Sequence, residues 1–187
     1  TDVLRILPSQ IVNPGQKEIF VFPTLRIDST DTINGATVSI EANYSRGKDL
    51  LELTYPTSIS ATWIAQSGTL RLSGVANVTQ YANAIRYVTF HTTSTSTSPR
   101  KITWSFRKNT IFSATTGHYY TAYSQAGISW DAASTACSAD TFYGRVGYLA
   151  TIRSSEENTL VSTKLAAEGW ISGDDAARNQ WRYSTGA

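Results

Sequence analysis

The sequence predicts a mainly β chain followed by a smaller α+β part: a β-sandwich over residues 1–114, then a mixed domain over residues 115–187. Three observations carry this prediction. Residues 1–114 hold about seven short runs of alternating apolar residues at regular spacing, each closed by turn residues. After residue 114 the apolar spacing lengthens from two to three and four, and a serine precedes each helical run. Charged residues make up only 16% of the chain while hydrophobic residues make up 41%, against a usual charged share of about 25%. Ser, Thr, Asn and Tyr take the place of charge, a mix that suits β-rich extracellular proteins.

Asn13-Pro14-Gly15 is a strong turn signal, and Ile19 to Phe22, closed by Pro23, reads as a short strand. Asp28-Ser29-Thr30-Asp31 is a polar loop. The cleanest alternation follows: Ala36, Val38, Ile40 and Ala42 share one face, and Thr37, Ser39 and Glu41 the other, as expected for a strand with one face buried. Arg46 to Asp49 turns into a run in which Leu51, Leu53 and Tyr55 alternate. Ala61 to Ala65 is the next strand, Ser67-Gly68 a turn, and Leu70 and Leu72 the strand after it, ending at Gly74. Tyr81, Ala84 and Ile85 stand at helical spacing and predict a short helical turn. Val88 and Phe90 resume strand character, Thr92 to Ser98 is a hydroxyl-rich loop closed by Pro99, and Ile102, Trp104 and Phe106 form the last alternating strand. This count and spacing fit a sandwich with Ig-like topology.

Ser113 to Gly117 is a short hinge, after which Tyr119, Tyr120 and Tyr123 form an aromatic strand. Ser129 caps a helix with Trp130, Ala133, Ala136 and Cys137 along one side. Gly147 to Ile152 reads as a small apolar strand. Ser154 and Glu157 fit a capping box for a second helix, with Leu160, Val161 and Leu165 as its buried stripe and Gly169 as its stop. Trp170 to Gly173 opens a further strand, and Trp181 and Tyr183 another.

Gly68, Thr69, Leu70, Leu72 and Gly74, followed by Tyr81, Ala84, Ile85 and Arg86, carry a resemblance over roughly residues 1–110. The stretch resembles the cadherin-like repeats of large microbial surface proteins and the related repeats of chondroitin-sulfate-proteoglycan type. Such repeats serve as spacers and adhesive stalks, and many bind calcium through acidic loops. The resemblance thus marks Asp28 and Asp31 as candidate calcium ligands. Ordinary turn residues are the other reading of the same pair, because calcium takes six to eight oxygens.

The second part is similar to the front of a C-type-lectin-like domain. The matching landmarks are Trp130, Ala133 and Cys137, then Gly147 to Ile152, Glu157-Asn158, Trp170-Ile171-Ser172-Gly173 and Trp181-Arg182-Tyr183-Ser184. Ser172-Gly173 and Tyr183 depart mildly from that family's pattern. Its Glu/Gln-Pro-Asn/Asp and Trp-Asn-Asp motifs, which hold calcium and sugar, are not in this sequence, so no sugar-binding residue is carried over. The fold class expected is therefore a sandwich followed by a truncated lectin-like α+β domain. Cys137, the single cysteine, reads by itself as a buried thiol. The resemblance implies instead a disulfide to a residue outside the chain.

Net charge is +2, and the basic pairs Arg100-Lys101 and Arg107-Lys108 read as solvated strand edges, not as a nucleic-acid stripe. No apolar run reaches the roughly 18 residues of a membrane span. The chain begins at Thr1 and contains no methionine, as a processed or excised piece would. Asn43-Tyr44-Ser45 and Asn77-Val78-Thr79 are glycosylation acceptor triplets. Asp174-Asp175 point to opposite faces of a strand and do not converge, and His91 and His118 lack ligand spacing. The expected function is a non-enzymatic adhesion or carbohydrate-recognition module of a larger surface protein, with glycans, matrix proteins or neighbouring repeats as partners. The alternative is a structural subunit of a filament, coat or matrix.

Overall fold

Alternation becomes pairing around one central strand. The computed structural model describes residues 9–12, 19–54, 58–165, 169–174 and 182–183. The Asn13-Pro14-Gly15 turn, Tyr55, Asp175, Trp181 and Ser184 lie outside the described residues. The chain divides into two units, Thr1–Thr121 with Leu160–Ala166, and Ala122–Thr159 with Ala167–Ala187.

The first unit holds β1 (Ser9–Val12), β2 (Ile19–Phe20), β3 (Thr32–Ala42), β4 (Asp49–Leu53), β5 (Ser60–Ile64), β6 (Thr69–Asn77), α1 (Val78–Arg86), β7 (Val88–Thr92), β8 (Arg100–Ser105), β9 (Thr110–Phe112) and β10 (Tyr119–Thr121). A five-stranded antiparallel sheet runs β1-β8-β3-β6-β5, and a three-stranded one runs β2-β7-β4. Val38 of β3 stands opposite Leu70 of β6 and Trp104 of β8, and Ile40 opposite Ile102. These residues share one core with Leu51, Val88 and Phe90 of the smaller sheet. α1 carries the chain from β6 to β7. Its Tyr81, Ala84 and Ile85 are buried, and the Tyr81 hydroxyl donates to the Gly74 carbonyl at 2.5 Å. The expected single turn is thus a nine-residue helix. Its start is fixed by a reciprocal cap, with Gln80 N–H on Asn77 Oδ1 at 2.8 Å and Asn77 N–H on Gln80 Oε1 at 2.9 Å.

Two expectations for the first unit need correction. β3 is buried on both faces at its centre, because Thr37 and Ser39 are as covered as Val38. The small hydroxyls tolerate this by bonding one another and backbone: Ser39 Oγ lies 3.2 Å from Thr69 Oγ1, and Thr37 Oγ1 donates to the Arg107 carbonyl at 3.2 Å. Arg100 is not at a solvated edge. It shares the inward face of β8 with Ile102 and Trp104, and its side chain is 0% exposed. Asp49, equally buried, shares the inward face of β4 with Leu51. Arg100 Nε and Nη2 donate to Asp49 Oδ2 and Oδ1 at 3.0 and 3.2 Å. Arg100 Nη1 donates to the Ser98 carbonyl at 2.5 Å, and Asp49 also accepts from Ser45 N–H and the Thr92 hydroxyl at 2.7 and 2.6 Å. One bidentate pair therefore ties the two sheets together.

The second unit contains α2 (Trp130–Ala139), β11 (Thr141–Phe142), β12 (Arg145–Val146), β13 (Gly173–Asp174) and β14 (Arg182–Tyr183). The residues of α3 (Ser155–Leu165) fall in both units. Ser129 caps α2 by accepting from Ala132 N–H at 3.2 Å. Ser154 caps α3 as expected, accepting from Glu157 N–H at 3.0 Å. The Glu157 carboxylate reaches one residue further back than a capping box requires, to Arg153 N–H at 2.7 Å. The stretch from Gly147 to Ile152 is not a regular strand. Its bonds to Asp140 and Ser172 are isolated, where a ladder needs consecutive ones. Leu149 and Thr151 are nevertheless buried from it. Likewise, only Gly173 of the Trp170 to Gly173 run enters a strand. A Cβ on Gly147 would stand 2.7 Å from the Cys137 carbonyl oxygen, which explains a glycine at that position.

Arg100→Ala is expected to lower unfolding free energy by about 3–5 kcal/mol in urea titrations, since it strands a buried carboxylate. The double replacement Asp49→Leu with Arg100→Met is expected to cost less than either single loss. A single-variant cost under about 1 kcal/mol contradicts the assignment. Gly147→Ala is expected to cost on the order of 1–3 kcal/mol by overpacking against backbone. Faster hydrogen exchange of the α2 amides is its readout, and unchanged exchange counts against it.

Candidate functional site

The residues singled out by sequence lie at several separate places. Asp28 and Asp31 are exposed, in a loop laid across the start of α1. Ser29 N–H donates to Thr79 Oγ1 at 2.9 Å, that hydroxyl donates to the Ser29 carbonyl at 3.1 Å, and Val78 N–H donates to the Asp31 carbonyl at 2.9 Å. Asp28 Oδ1 lies 3.4 Å from the Thr79 hydroxyl. The loop's oxygens thus serve the first amides of a helix, whose positive end favours acidic neighbours. Among the described residues no cluster of three acidic, His or Cys side chains is placed to hold a metal. Two carboxylates with their loop carbonyls engaged fall short of calcium's six to eight oxygens.

Asn43 is exposed and left-handed, with φ of 59°, and its Nδ2 donates to the Pro99 carbonyl at 2.7 Å. Asn77 is half-buried and spends Oδ1 on the α1 cap, while the hydroxyl of its triplet, on Thr79, holds the Asp28–Asp31 loop. Cys137 is half-buried on α2, and burial, with the Asp140 carboxylate second, pushes its thiol up. It is held in the protonated form, which is a poor nucleophile. His91 lies beside the Thr89 hydroxyl and 3.9 Å from Glu52, and His118 packs near the Tyr120 ring. The backbone of Asp174 pairs with Arg182.

A further cluster was not foreseen. Leu160 is buried as the α3 stripe predicts, but so is Lys164, 7% exposed, within the first unit. Its Nζ donates to the Ser67 carbonyl and stands 5.0 Å from the centre of the Tyr44 ring. Tyr44 donates to the Ala65 carbonyl at 2.5 Å, and a Cβ on Gly68, where φ is +63°, would collide with its ring at 2.8 Å. Burial lowers the Lys164 ammonium to about 8, with the Glu41 carboxylate opposing the fall. The Glu41 side chain is 7% exposed; Oε1 accepts from Ala114 N–H at 2.9 Å, and Lys101 Nζ lies 3.9 Å from Oε2. Burial, then the Asp49 carboxylate, raises the Tyr44 phenol. A lysine so enclosed and so bonded acts as an anchor, not as a reactive amine. The spacing of Leu160 and Lys164, four apart on one helix face, was the available signal.

In the second unit two tryptophans bond reciprocally. Trp130 Nε1 donates to the Ile171 carbonyl at 2.9 Å, and Trp170 Nε1 to the Ile128 carbonyl at 2.8 Å. Trp170 stays 53% exposed, and Tyr123, Tyr143 and Tyr148 are exposed as well. Tyr143, with φ of 50°, and Gly144 make the two-residue turn between β11 and β12.

The chain is similar to Halomucin of Haloquadratum walsbyi, with 29% identity over 177 residues. The match covers 87% of this chain and spans 2% of Halomucin. No family model matches the chain, and no solved structure matches it.

Lys164 sets a pH dependence. Below about pH 8 the ammonium is charged in both folded and unfolded chains, and folding bears the cost of burying it. Between about 8 and the ordinary 10.5 the unfolded chain keeps the proton and the folded chain does not, so stability rises with pH. The unfolding free energy of the native chain minus that of Lys164→Met is expected to climb across that window, where shared tyrosine effects cancel. A flat or falling difference refutes the assignment.

Proposed function

We propose that the chain is an extracellular or cell-surface adhesion or carbohydrate-recognition module of a larger multidomain protein, and that it is not an enzyme. The likeness over 87% of its length to a segment spanning 2% of Halomucin carries this reading, since what the chain resembles is one small part of a very long protein. The β-rich first unit, with its antiparallel sheets joined by one buried ion pair, suits a stalk module of the cadherin-like kind. The second unit supplies the recognition surface in this reading, as the scaffold of a C-type-lectin-like domain. Its exposed Trp170, Tyr123, Tyr143 and Tyr148 are amphipathic rings of the sort that meet sugars and protein surfaces. Among the described residues no helix is long and apolar enough to cross a membrane.

Calcium enters through oxygens added to Asp28 and Asp31 by a neighbouring repeat, and Cys137 through a disulfide partner outside this sequence. Asn43 and Asn77 are the N-glycan acceptors of the same surface setting. A structural role, with protein contacts only, is the second reading; the exposure of Val146 and Ile171 favours it, because apolar aliphatic surface suits protein partners better than sugars.

A glycan array probed with the chain, with calcium and with chelator, separates the readings. Binding to a defined glycan class that Trp170→Ala weakens at least tenfold supports recognition. Sedimentation showing self-association with no glycan bound supports the structural subunit and removes the recognition reading.

A further inference from the structure

The hydroxyl run between β7 and β8 splits into two series by hydrogen bonding. Thr92 Oγ1 accepts from Ser94 N–H at 3.0 Å, Ser94 Oγ from Ser96 N–H at 3.2 Å, and Ser96 Oγ from Ser98 N–H at 3.3 Å. Each even-numbered hydroxyl therefore caps the next even-numbered amide. Thr93, Thr95 and Thr97 are all exposed, and their hydroxyls have no partner among the described residues. Residues 93–98 run without turn or bend. In a fully extended chain residues two apart stand about 6.6 Å from one another.

The run is also held from below. Arg100 Nη1 donates to the Ser96 and Ser98 carbonyls at 3.4 and 2.5 Å, Thr92 donates to Asp49, and Thr93 N–H donates to the Lys48 carbonyl at 2.9 Å. The buried ion pair that joins the sheets is thus the footing of a hydroxyl ladder facing solvent. Ser96 and Ser98 are exposed too, so what sets the even-numbered series apart is its hydrogen bonding: Thr92, Ser94 and Ser96 each hold an amide of the run through Oγ.

We propose that Thr93, Thr95 and Thr97 are acceptors for O-linked hexose, and that Ser94 and Ser96 are not. The threonine Oγ1 attacks the anomeric carbon of a glycosyl diphosphate. The new C–O bond replaces the bond to the diphosphate, which leaves with its electron pair, and the hydroxyl proton passes to a base of the transferase. A neutral substituent is the chemistry that fits. Phosphate on alternate residues would set charges of about −2 some 6.6 Å apart. Arg100, the guanidinium beneath them, is already committed to Asp49 and the loop carbonyls.

The proposal is independent of whether the second unit binds sugar, and its test reads this loop alone. The full chain is recovered from the surface of the cells that make it, and residues 92–98 are mapped by electron-based fragmentation. Hexose is expected on at least one of Thr93, Thr95 and Thr97, with Ser94 and Ser96 bare. The T93A/T95A/T97A variant is expected to lose all sugar from the run while S94A/S96A keeps it. A bare run, phosphate in place of hexose, or sugar on Ser94 or Ser96 overturns the proposal.

Discussion

The first unit depends on a charged pair set where a core would ordinarily be apolar. Asp49 and Arg100 come from different sheets, and each lies at the end of an inward-facing row of aliphatic and aromatic side chains. Neither charge would survive burial alone. Together they satisfy one another through two parallel hydrogen bonds, and the remaining valences go to Ser45, Thr92 and Ser98. A buried pair contributes less to net stability than a well-packed apolar pair, but it is far more exacting about geometry. Only one alignment of the two sheets brings these groups together, so the pair fixes how β4 and β8 meet and where the loop between β7 and β8 must lie.

A second constraint comes from the polar face of the central strand. Thr37 and Ser39 are covered, as are Thr69, Thr103 and Ser105 on the neighbouring strands. Hydroxyls are small enough to be enclosed and can bond one another, as those of Ser39 and Thr69 do. Lys164 is the exception in size. Its stem gives apolar cover, and its head finds the Ser67 carbonyl and the Tyr44 ring. The two charged insertions differ in consequence. Arg100 keeps its proton at any ordinary pH, whereas Lys164 gives up charge within reach of neutral pH.

Among the described residues of the second unit, helix caps and paired indoles are the visible ties. Side-chain caps at Ser129 and Ser154 start its helices, and the crossed indole bonds of Trp130 and Trp170 close the chain on itself. These are local devices that satisfy orphan backbone groups. They leave the aromatic side chains of Trp170, Tyr123, Tyr143 and Tyr148 exposed.

The sequence by itself determined the elements whose pattern is local. The period-two runs became β3 to β8, the capping serines started α2 and α3, and the Tyr81-Ala84-Ile85 spacing became α1, because propensity, alternation and caps act within a few residues. It also held the parity that places Arg100 on the same face as Ile102 and Trp104 and Asp49 on the same face as Leu51, although a charged residue within a single strand carries no sign of the partner that lets it be buried. Only the tertiary structure decided which buried position carries which charge, because the carboxylate that admits Arg100 lies fifty-one residues away on another sheet. The same holds for Lys164, whose acceptor Ser67 is ninety-seven residues distant, and for the Asp28–Asp31 loop, whose acidic pattern is answered by a helix end and not by a third acid. Desolvating a charge is favourable only when its partner is already in place, and pairing at that separation is set by how sheets and helices pack.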